Sequence, residues 1–316
     1  MSSVEPSDGV VRELVDLLLD RRWADKELGQ HFLVDEKVLQ VPIKLSKVDS
    51  ESHVLEVGPG PGTLTHFLLL TGARVTAIEI DHIAIEHLHR VHAEAIESGQ
   101  LTLIEGDALK VQWPKDLTDV VCNPPYQISS PLIAKIDNWQ ENAKRQGIDQ
   151  LKSVVLLLQD EFASRLVMEF GLASRGPLGI NTALNWLVTL DMKVPAHCFT
   201  PHPEVQSRLV LMTPYDLCTE IGIDVESRLV KRMVSHAFAQ RRKKMRNRLK
   251  GVPRKIERVP NWNRERWVEA VNLLLSDEEN TVLEDGWEDF RPEELEVEEW
   301  LLLAQRLEYF NQQFNE

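Results

Sequence analysis

His53-Val54-Leu55-Glu56-Val57-Gly58-Pro59-Gly60-Pro61-Gly62-Thr63-Leu64 is the stretch from which the organisation of the whole chain follows. A short apolar run meets a glycine-rich turn and then a helical start, the way a parallel strand hands over to its crossover helix. Further apolar runs at 74–78, 101–104, 120–122 and 154–158 alternate with longer helical stretches. This alternation predicts a doubly wound α/β fold on a mostly parallel sheet, with ligands at the carboxyl ends of the strands. Two later strands, 186–192 and 208–212, are expected around a Pro-rich connection. The strand signal stops near Thr213-Pro214, and 225–250 and 293–314 carry helical periodicity. Upstream, Val10, Val11, Leu14, Val15, Leu18 and Leu19 mark one face of a helix that Ser7 can cap and Arg21-Arg22-Trp23 closes. A loop at 28–33 follows. The expected organisation is a helical extension over 1–27, an α/β domain over 28–214 and a small all-helical domain over 215–316.

Bulk properties narrow the class. A length of 316 residues with 43% apolar content suits a full α/β domain and a smaller companion. The longest apolar runs, such as 154–158, are far too short to span a bilayer. The start, Met1-Ser2-Ser3-Val4-Glu5-Pro6, has neither the basic opening of a signal peptide nor the arginines of a transit peptide. Cys122, Cys198 and Cys218 form no CxxC pair, so a reducing cytoplasm is the expected compartment. The net charge of −14 argues against a polyanionic partner, but it hides an asymmetry. Residues 241–258 carry ten Lys/Arg against one acid, whereas 277–299 carry twelve Asp/Glu against one base. Fields are screened within about 10 Å at moderate salt, so the basic run can engage phosphate despite the total.

In the glycine turn, a backbone without Cβ atoms can approach a ligand closely. Such turns also hold nicotinamide and flavin dinucleotides. Here the spacing is G-x-G-x-G with prolines in the gaps, and proline supplies no N–H for a pyrophosphate. Glu79 closes the next strand and can accept both hydroxyls of a ribose. Asp107, after the third strand, can accept from an adenine amino group. Acids at successive strand ends fit an adenosine with a short charged tail and no phosphate, which is the shape of S-adenosylmethionine. Helix capping is the plain structural alternative for Glu79 and Asp107.

Asn123-Pro124-Pro125-Tyr126 ends the fourth run. The lone pair of an adenine N6 is delocalised into the ring, so the amine is a poor nucleophile. The Asn123 side-chain oxygen and the Pro124 carbonyl can accept its two N–H bonds and stabilise the charge that grows as it attacks. Tyr126 can stack on an extruded base. In the later turn, Phe199-Thr200-Pro201-His202-Pro203-Glu204-Val205-Gln206-Ser207, Phe199 can oppose it. A rigid connection with a buried Phe is the structural alternative.

From Leu28 to about Leu249 the chain resembles the ribosomal RNA adenine dimethyltransferases of the KsgA/Dim1 family. Gln30-His31-Phe32-Leu33, the glycine turn, Glu79, Asp107, Asn123 to Tyr126, Gln159-Asp160-Glu161 to Leu166, the Phe199 to Ser207 turn and the run from Phe238 to Leu249 carry the resemblance in order. It implies a Rossmann-like seven-stranded class I methyltransferase sheet with a small C-terminal helical domain. It also implies S-adenosylmethionine-dependent N6,N6-dimethylation of two adjacent adenosines near the 3′ end of small-subunit rRNA during ribosome biogenesis. His31, Leu33, Gly58, Gly60, Glu79, Asp107 and Asn123 would touch the cofactor, and Asn123, Pro124, Tyr126 and Phe199 the reacting base. Arg241, Arg242, Lys243, Lys244 and Arg246 would meet rRNA on the pre-ribosomal small subunit. No metal, no membrane and a monomer are the matching expectations. Pro124 stands where the family usually has Leu, and His31 where Asn is common. The family's Tyr-Gly-Arg-Leu-Ser is replaced around Arg175 and Pro177, and the acidic stretch 277–299 has no counterpart.

Other features are expected to be structural. His82, His87, His89 and His92 have a metal-like spacing on one helix with Glu86, but a solvated helix face is the expectation. Cys122 reads as a buried strand residue. Trp262, Trp267, Trp287 and Trp300 read as packing of the helical domain. Two alternatives remain open at this stage: an adenine N6 methyltransferase acting on DNA or another RNA, and a ribosome-assembly factor that binds S-adenosylmethionine without turnover.

Overall fold

The structure is a computed structural model describing residues 9–21, 30–277 and 283–315. Ser7, Trp23 and part of the acidic stretch lie outside the described residues. The strands are β1 (Phe32–Leu33), β2 (His53–Val57), β3 (Arg74–Glu79), β4 (Leu101–Glu105) and β5 (Asp119–Cys122), then β6 (Ser153–Gln159), β7 (Trp186–Val194), β8 (Phe199–Thr200) and β9 (Ser207–Pro214). Seven of them form one sheet, the number expected, in the order β4-β3-β2-β5-β6-β9-β7. The pairings from β4 through β6 are parallel, and β9 runs antiparallel to β6.

The centre of the sheet is built from strands with no wet face, whereas the edge strands β4 and β7 carry exposed residues. Every residue of β2 and β5 is buried, because crossover helices such as Thr63–Leu70 and Ser129–Gln146 cover them. The chain winds outward from β2 through β3 to β4, then returns to place β5 on the other side of β2. That reversal leaves a crevice at the carboxyl ends of β2 and β5. The glycine turn leaves the first of these strands, and Asn123 leaves the second. The segment expected as a loop holds a small strand as well, since β1 pairs antiparallel with β8 and Leu33 lies opposite Phe199. The upstream helix, Val10–Leu19, buries Val11, Leu14, Val15 and Leu18 as its periodicity predicts.

The chain divides into two compact units. The first runs to Ala163 and takes back Val188–Pro214; the second comprises Ser164–Leu187 and the chain from Tyr215 onward. The second unit has its own core, in which Ile180 and Leu184 join Leu229, Met233, Trp267, Trp300 and Leu307. Trp262 and Trp287 are buried there too.

The helical run expected over 225–250 is broken in two. A helix spans Ser227–Phe238, and a short one Met245–Leu249. Arg241-Arg242-Lys243-Lys244 lies in the break, where a continued helix would stack like charges three and four residues apart. Arg248 closes the first helix from outside. Its guanidinium donates to the Ala237 carbonyl (3.3 Å), to the His236 carbonyl and to the Gln240 side chain (3.1 Å). These are the carbonyls a helix end leaves without internal donors.

Candidate active site

One cavity, about 840 Å³ with its open mouth, sits at the reversal point of the sheet, within the size range of small-molecule sites. Its walls bring together His31, Leu33, Gly58, Gly60, Glu79, Asn123, Pro124 and Tyr126, residues separated by up to 95 positions in sequence. Glu56 and Ile80 also line it, although the sequence reading assigned them no role.

The glycine turn is shaped by need. Gly58 and Gly60 have φ of +70° and +54°, where side chains are strained. A Cβ on Gly60 would come within 3.0 Å of the Phe32 ring, and one on Gly58 within 3.2 Å of the Pro125 ring. The first collision would push β1 away from the turn and the second would fill the space beside Pro125. Gly60→Ala is therefore expected to destabilise the fold by about 1–2 kcal/mol through the left-handed backbone alone. It should also weaken cofactor binding at least tenfold, which thermal denaturation and equilibrium dialysis would check. Unchanged binding would remove the turn from the site.

Glu79 shares its carboxylate with this turn. Its Oε2 accepts from the Gly60 N–H (3.1 Å), and its Oε1 from the N–H groups of Ile80 (2.8 Å) and Asp81 (2.9 Å). Burial raises its pKa, with those three donors opposing the rise. The carboxylate is thus locked in orientation at the cavity wall. Glu56 is fully buried, and burial pushes its pKa up to about 8; the Thr65 hydroxyl (2.7 Å from Oε2) opposes the shift and the Glu79 charge adds to it. Sequence carried one signal for it, an acid two residues before the first glycine of the turn. Its partner Thr65, nine residues on, gave none.

Asn123, Tyr126 and His31 meet at the mouth. Asn123 Nδ2 reaches the His31 carbonyl at 3.5 Å, leaving Oδ1 as the acceptor of the side chain. The His31 and Tyr126 rings are stacked, with centroids 6.0 Å apart and planes inclined by 24°. The His31 Nδ1–H donates to the Pro201 carbonyl (2.9 Å), and the Tyr126 phenol meets the Ser207 hydroxyl at 2.6 Å. Cys122, just before this group, is buried and its thiol is pushed up to about 12, so it offers no thiolate.

Several expected residues are placed elsewhere. Asp107 does not line the cavity. Its Oδ1 accepts from the Leu109 N–H (2.9 Å) and its Oδ2 pairs with Lys110 (3.0 Å), the local turn chemistry open to any Asp. Phe199 has no exposed ring surface. It packs with Leu33, Leu39, Val194 and Leu209, because its pairing with Leu33 turns it into the core. As folded it does not face Tyr126 across the cavity. The histidine helix, His82–Val91, is not a wet face throughout. His87 falls on the apolar side with Ala84 and Leu88, and donates to the Pro61 carbonyl (3.1 Å) behind the glycine turn. His92 is buried too, and burial takes its pKa down to about 4. His82 and His89 are the exposed members, His82 lying beside Glu86 and Glu105. Among the described residues no group of three or more such side chains is arranged to hold a metal ion.

In the second unit the basic run is partly neutralised by the acidic one. Arg241 pairs with Glu293 (3.6 Å), Lys244 with Asp289 (3.0 Å), and Arg246 with Asp289. Arg242 and Lys243 are exposed without a carboxylate partner among the described residues. The charge counts along the sequence did not reveal this folding of one run onto the other.

Comparison with known proteins gives the family. The sequence model of the family described as "Ribosomal RNA adenine dimethylase" matches residues 22–271. A protein of Gloeobacter violaceus named "Ribosomal RNA small subunit methyltransferase A" is 33% identical over 89% of this chain and 93% of its own length. One of the same name from Caulobacter vibrioides is 39% identical over 72% of this chain and 85% of its own. Among solved structures, a dimethyladenosine transferase from Plasmodium falciparum superposes with a TM-score of 0.64 at 24% identity, covering 87% of this chain and 97% of that one. The 23S rRNA methyltransferase ErmE superposes at 0.56 and 22% identity. The sheet is accordingly that of the class I methyltransferases, followed by C-terminal helices, and the chain belongs to the ribosomal RNA adenine dimethylase family.

Proposed function

We propose that this protein uses S-adenosylmethionine to dimethylate N6 of adenosine in small-subunit rRNA. One observation carries the proposal: the glycine turn, Glu79 and Asn123-Pro124-Pro125-Tyr126 converge on one cavity at the reversal point of the sheet. The cavity also fits the cofactor chemically, since its glycines admit close backbone approach and its Glu79 carboxylate is held for a diol. His31, Leu33, Gly58, Gly60 and Glu79 would hold the cofactor, with Asp107 joining only if it leaves Lys110. When bound, S-adenosylmethionine supplies a methyl carbon on a sulfonium, which departs as a neutral thioether.

The protein's part is to ready the amine. Asn123 Oδ1 and the Pro124 carbonyl accept the N6 hydrogens and stabilise the positive charge that grows as the nitrogen bonds to carbon. The proton then passes to water. Tyr126 stacks on the extruded base, a contact worth roughly 1–3 kcal/mol that offsets an unstacking cost of a few kcal/mol. Phe199 would join that clamp only if the 199–206 connection moved.

The finer expectations are two adjacent adenosines near the rRNA 3′ end, methylated on the pre-ribosomal small subunit by a cytoplasmic monomer. Among the described residues no helix is long and apolar enough to cross a membrane. The test is to offer radiolabelled cofactor with immature small subunits, naked rRNA and duplex DNA. Label on the small-subunit rRNA, mapped to dimethyladenosine by mass spectrometry, is expected; label confined to DNA would overturn the proposal.

The basic run supplies a second measurable expectation. Arg242 and Lys243 are available to phosphate at once, whereas Arg241, Lys244 and Arg246 must first exchange Asp289 and Glu293 for RNA. Replacing Arg242 and Lys243 by Ala should lower the slope of log affinity against log salt by about 1–2. Replacing the three paired residues should lower it by less per charge, as filter binding across a salt series would reveal. Equal effects per charge would mean that the internal pairs do not compete.

A further inference from the structure

Ser207 has no role in the chemistry described so far, yet its hydroxyl lies 2.6 Å from the Tyr126 phenol. Both ends of that contact are sheltered: Ser207 is fully buried and Tyr126 is half-buried. The two ends differ in rigidity. Tyr126 begins a three-residue 3-10 turn, Tyr126–Ile128, an element whose backbone hydrogen-bond geometry is poorer than that of an α-helix.

Ser207 opens β9 and pairs with Gln159 at the end of β6. The next residue after β6, Asp160, fastens the same point from three directions. Its N–H donates to the Gln206 carbonyl (2.9 Å), and its carboxylate pairs with Arg208 (2.7 Å) and Lys193 (2.8 Å). The hydroxyl therefore projects from a braced strand end. Burial raises the phenol's pKa, the Ser207 contact opposes the rise, and either hydroxyl can serve as the donor. The His31 ring lies against Tyr126, itself tied to the Pro201 carbonyl. The phenol is thus fixed at its tip by β9 and along a face by His31.

We infer that Ser207 is a positioning residue for methyl transfer: its hydroxyl pins the Tyr126 phenol and so sets the plane on which the target adenine stacks. The inference rests on Tyr126 being the stacking platform. Its physical content is angular. Asn123 Oδ1 and the Pro124 carbonyl accept N6 hydrogens only if the purine lies in one plane, and active groups must be held within about 10–20° of the productive geometry. A ring free to tilt would still bind the base, but would present N6 to its acceptors for a smaller fraction of the time.

Ser207→Ala should therefore lower kcat roughly tenfold to a hundredfold, the range expected for a small misplacement, with KM for rRNA changed less than threefold. Tyr126→Phe keeps the ring and removes the tie from the other side, and it stands in should Ser207→Ala not fold. It should reproduce the same loss. The double variant should be no worse than either single one, because both remove one contact. Ser207→Thr, which keeps a hydroxyl, should recover most of the rate. Melting temperature and cofactor affinity, measured alongside, should stay near wild type. Additive losses, or a wild-type kcat in Ser207→Ala or Tyr126→Phe beside an inactive Tyr126→Ala, overturn the inference and leave the platform intact. A wild-type kcat in Tyr126→Ala overturns the platform itself.

Discussion

Replacing Asn123 by Ala is expected to lower methyl transfer by about 10²–10³-fold at saturating cofactor, with little change in melting temperature. The two halves of that expectation come from the two ends of one amide. Nδ2 reaches the His31 carbonyl at 3.5 Å, the outer limit of a hydrogen bond, so its loss costs the fold little. Asn123 lines the cavity, and its Oδ1 is proposed as one of two acceptors that make the delocalised amine nucleophilic. The other, the Pro124 carbonyl, belongs to the backbone and survives the substitution, so the residual rate should exceed that without enzyme. Asn123→Asp makes the assignment sharper. It keeps an oxygen towards the base but loses the donor towards the His31 carbonyl and sets a charge against it. It should fall between wild type and Asn123→Ala in rate and below both in stability. Single-turnover methylation of rRNA with labelled cofactor measures the first quantity and thermal unfolding the second. Full transfer by Asn123→Ala would remove Asn123 from the chemistry.

What sequence made legible here depended on how local the cause was. The seven strands of the large sheet were legible to within a residue or two at each end, most plainly where burial on both faces writes an unbroken apolar run, as in Val154-Val155-Leu156-Leu157-Leu158 within β6; the two-residue strands β1 and β8 were not. The glycine turn and Asn123-Pro124-Pro125-Tyr126 were legible for the same reason, each being a short segment whose residue types are set by its own backbone. Phe199 was not. Whether a turn residue faces a cavity or a core depends on the pairing across the ribbon, and Leu33, its partner, lies 166 residues away. His87 and His92 read as wet because histidine is polar, yet the helical spacing that sets Ala84 and Leu88 inward carries His87 with them. Asp107 has a motif's position, but an Asp at a turn satisfies its own backbone as readily as a ligand. The part of the basic run that pairs with the acidic one is the extreme case. Its cause is a carboxylate pair more than forty residues away, and charge counted along a chain carries no information about which charges meet.

Glu56 should make the ligand-free protein lose stability as pH rises. Its carboxyl is fully buried, and burial lifts its pKa from 4.5 to about 8, against the Thr65 hydrogen bond and with help from the Glu79 charge. The folded state therefore keeps a proton that the unfolded state gives up. Stability is greatest below the unfolded value of 4.5, falls between there and about 8, and levels off above. The full span corresponds to roughly 5 kcal/mol, a large share of the 5–15 kcal/mol that domains typically have. Glu56→Gln keeps an acceptor for Thr65 and removes the titration. Its urea midpoint should exceed that of wild type at pH 8.5 and change far less between pH 6 and 8.5, with a remaining slope from Glu79, whose pKa burial also raises. Parallel pH profiles for the two proteins would refute the assignment. A buried acid that weakens the empty fold is understandable on the wall of a cation's site, where the incoming positive charge favours the ionised carboxylate. The stabilisation conferred by saturating S-adenosylmethionine should therefore grow from pH 6 to pH 8.5 in wild type and grow less in Glu56→Gln, where Glu79 alone of the two buried acids is left for the cofactor to compensate.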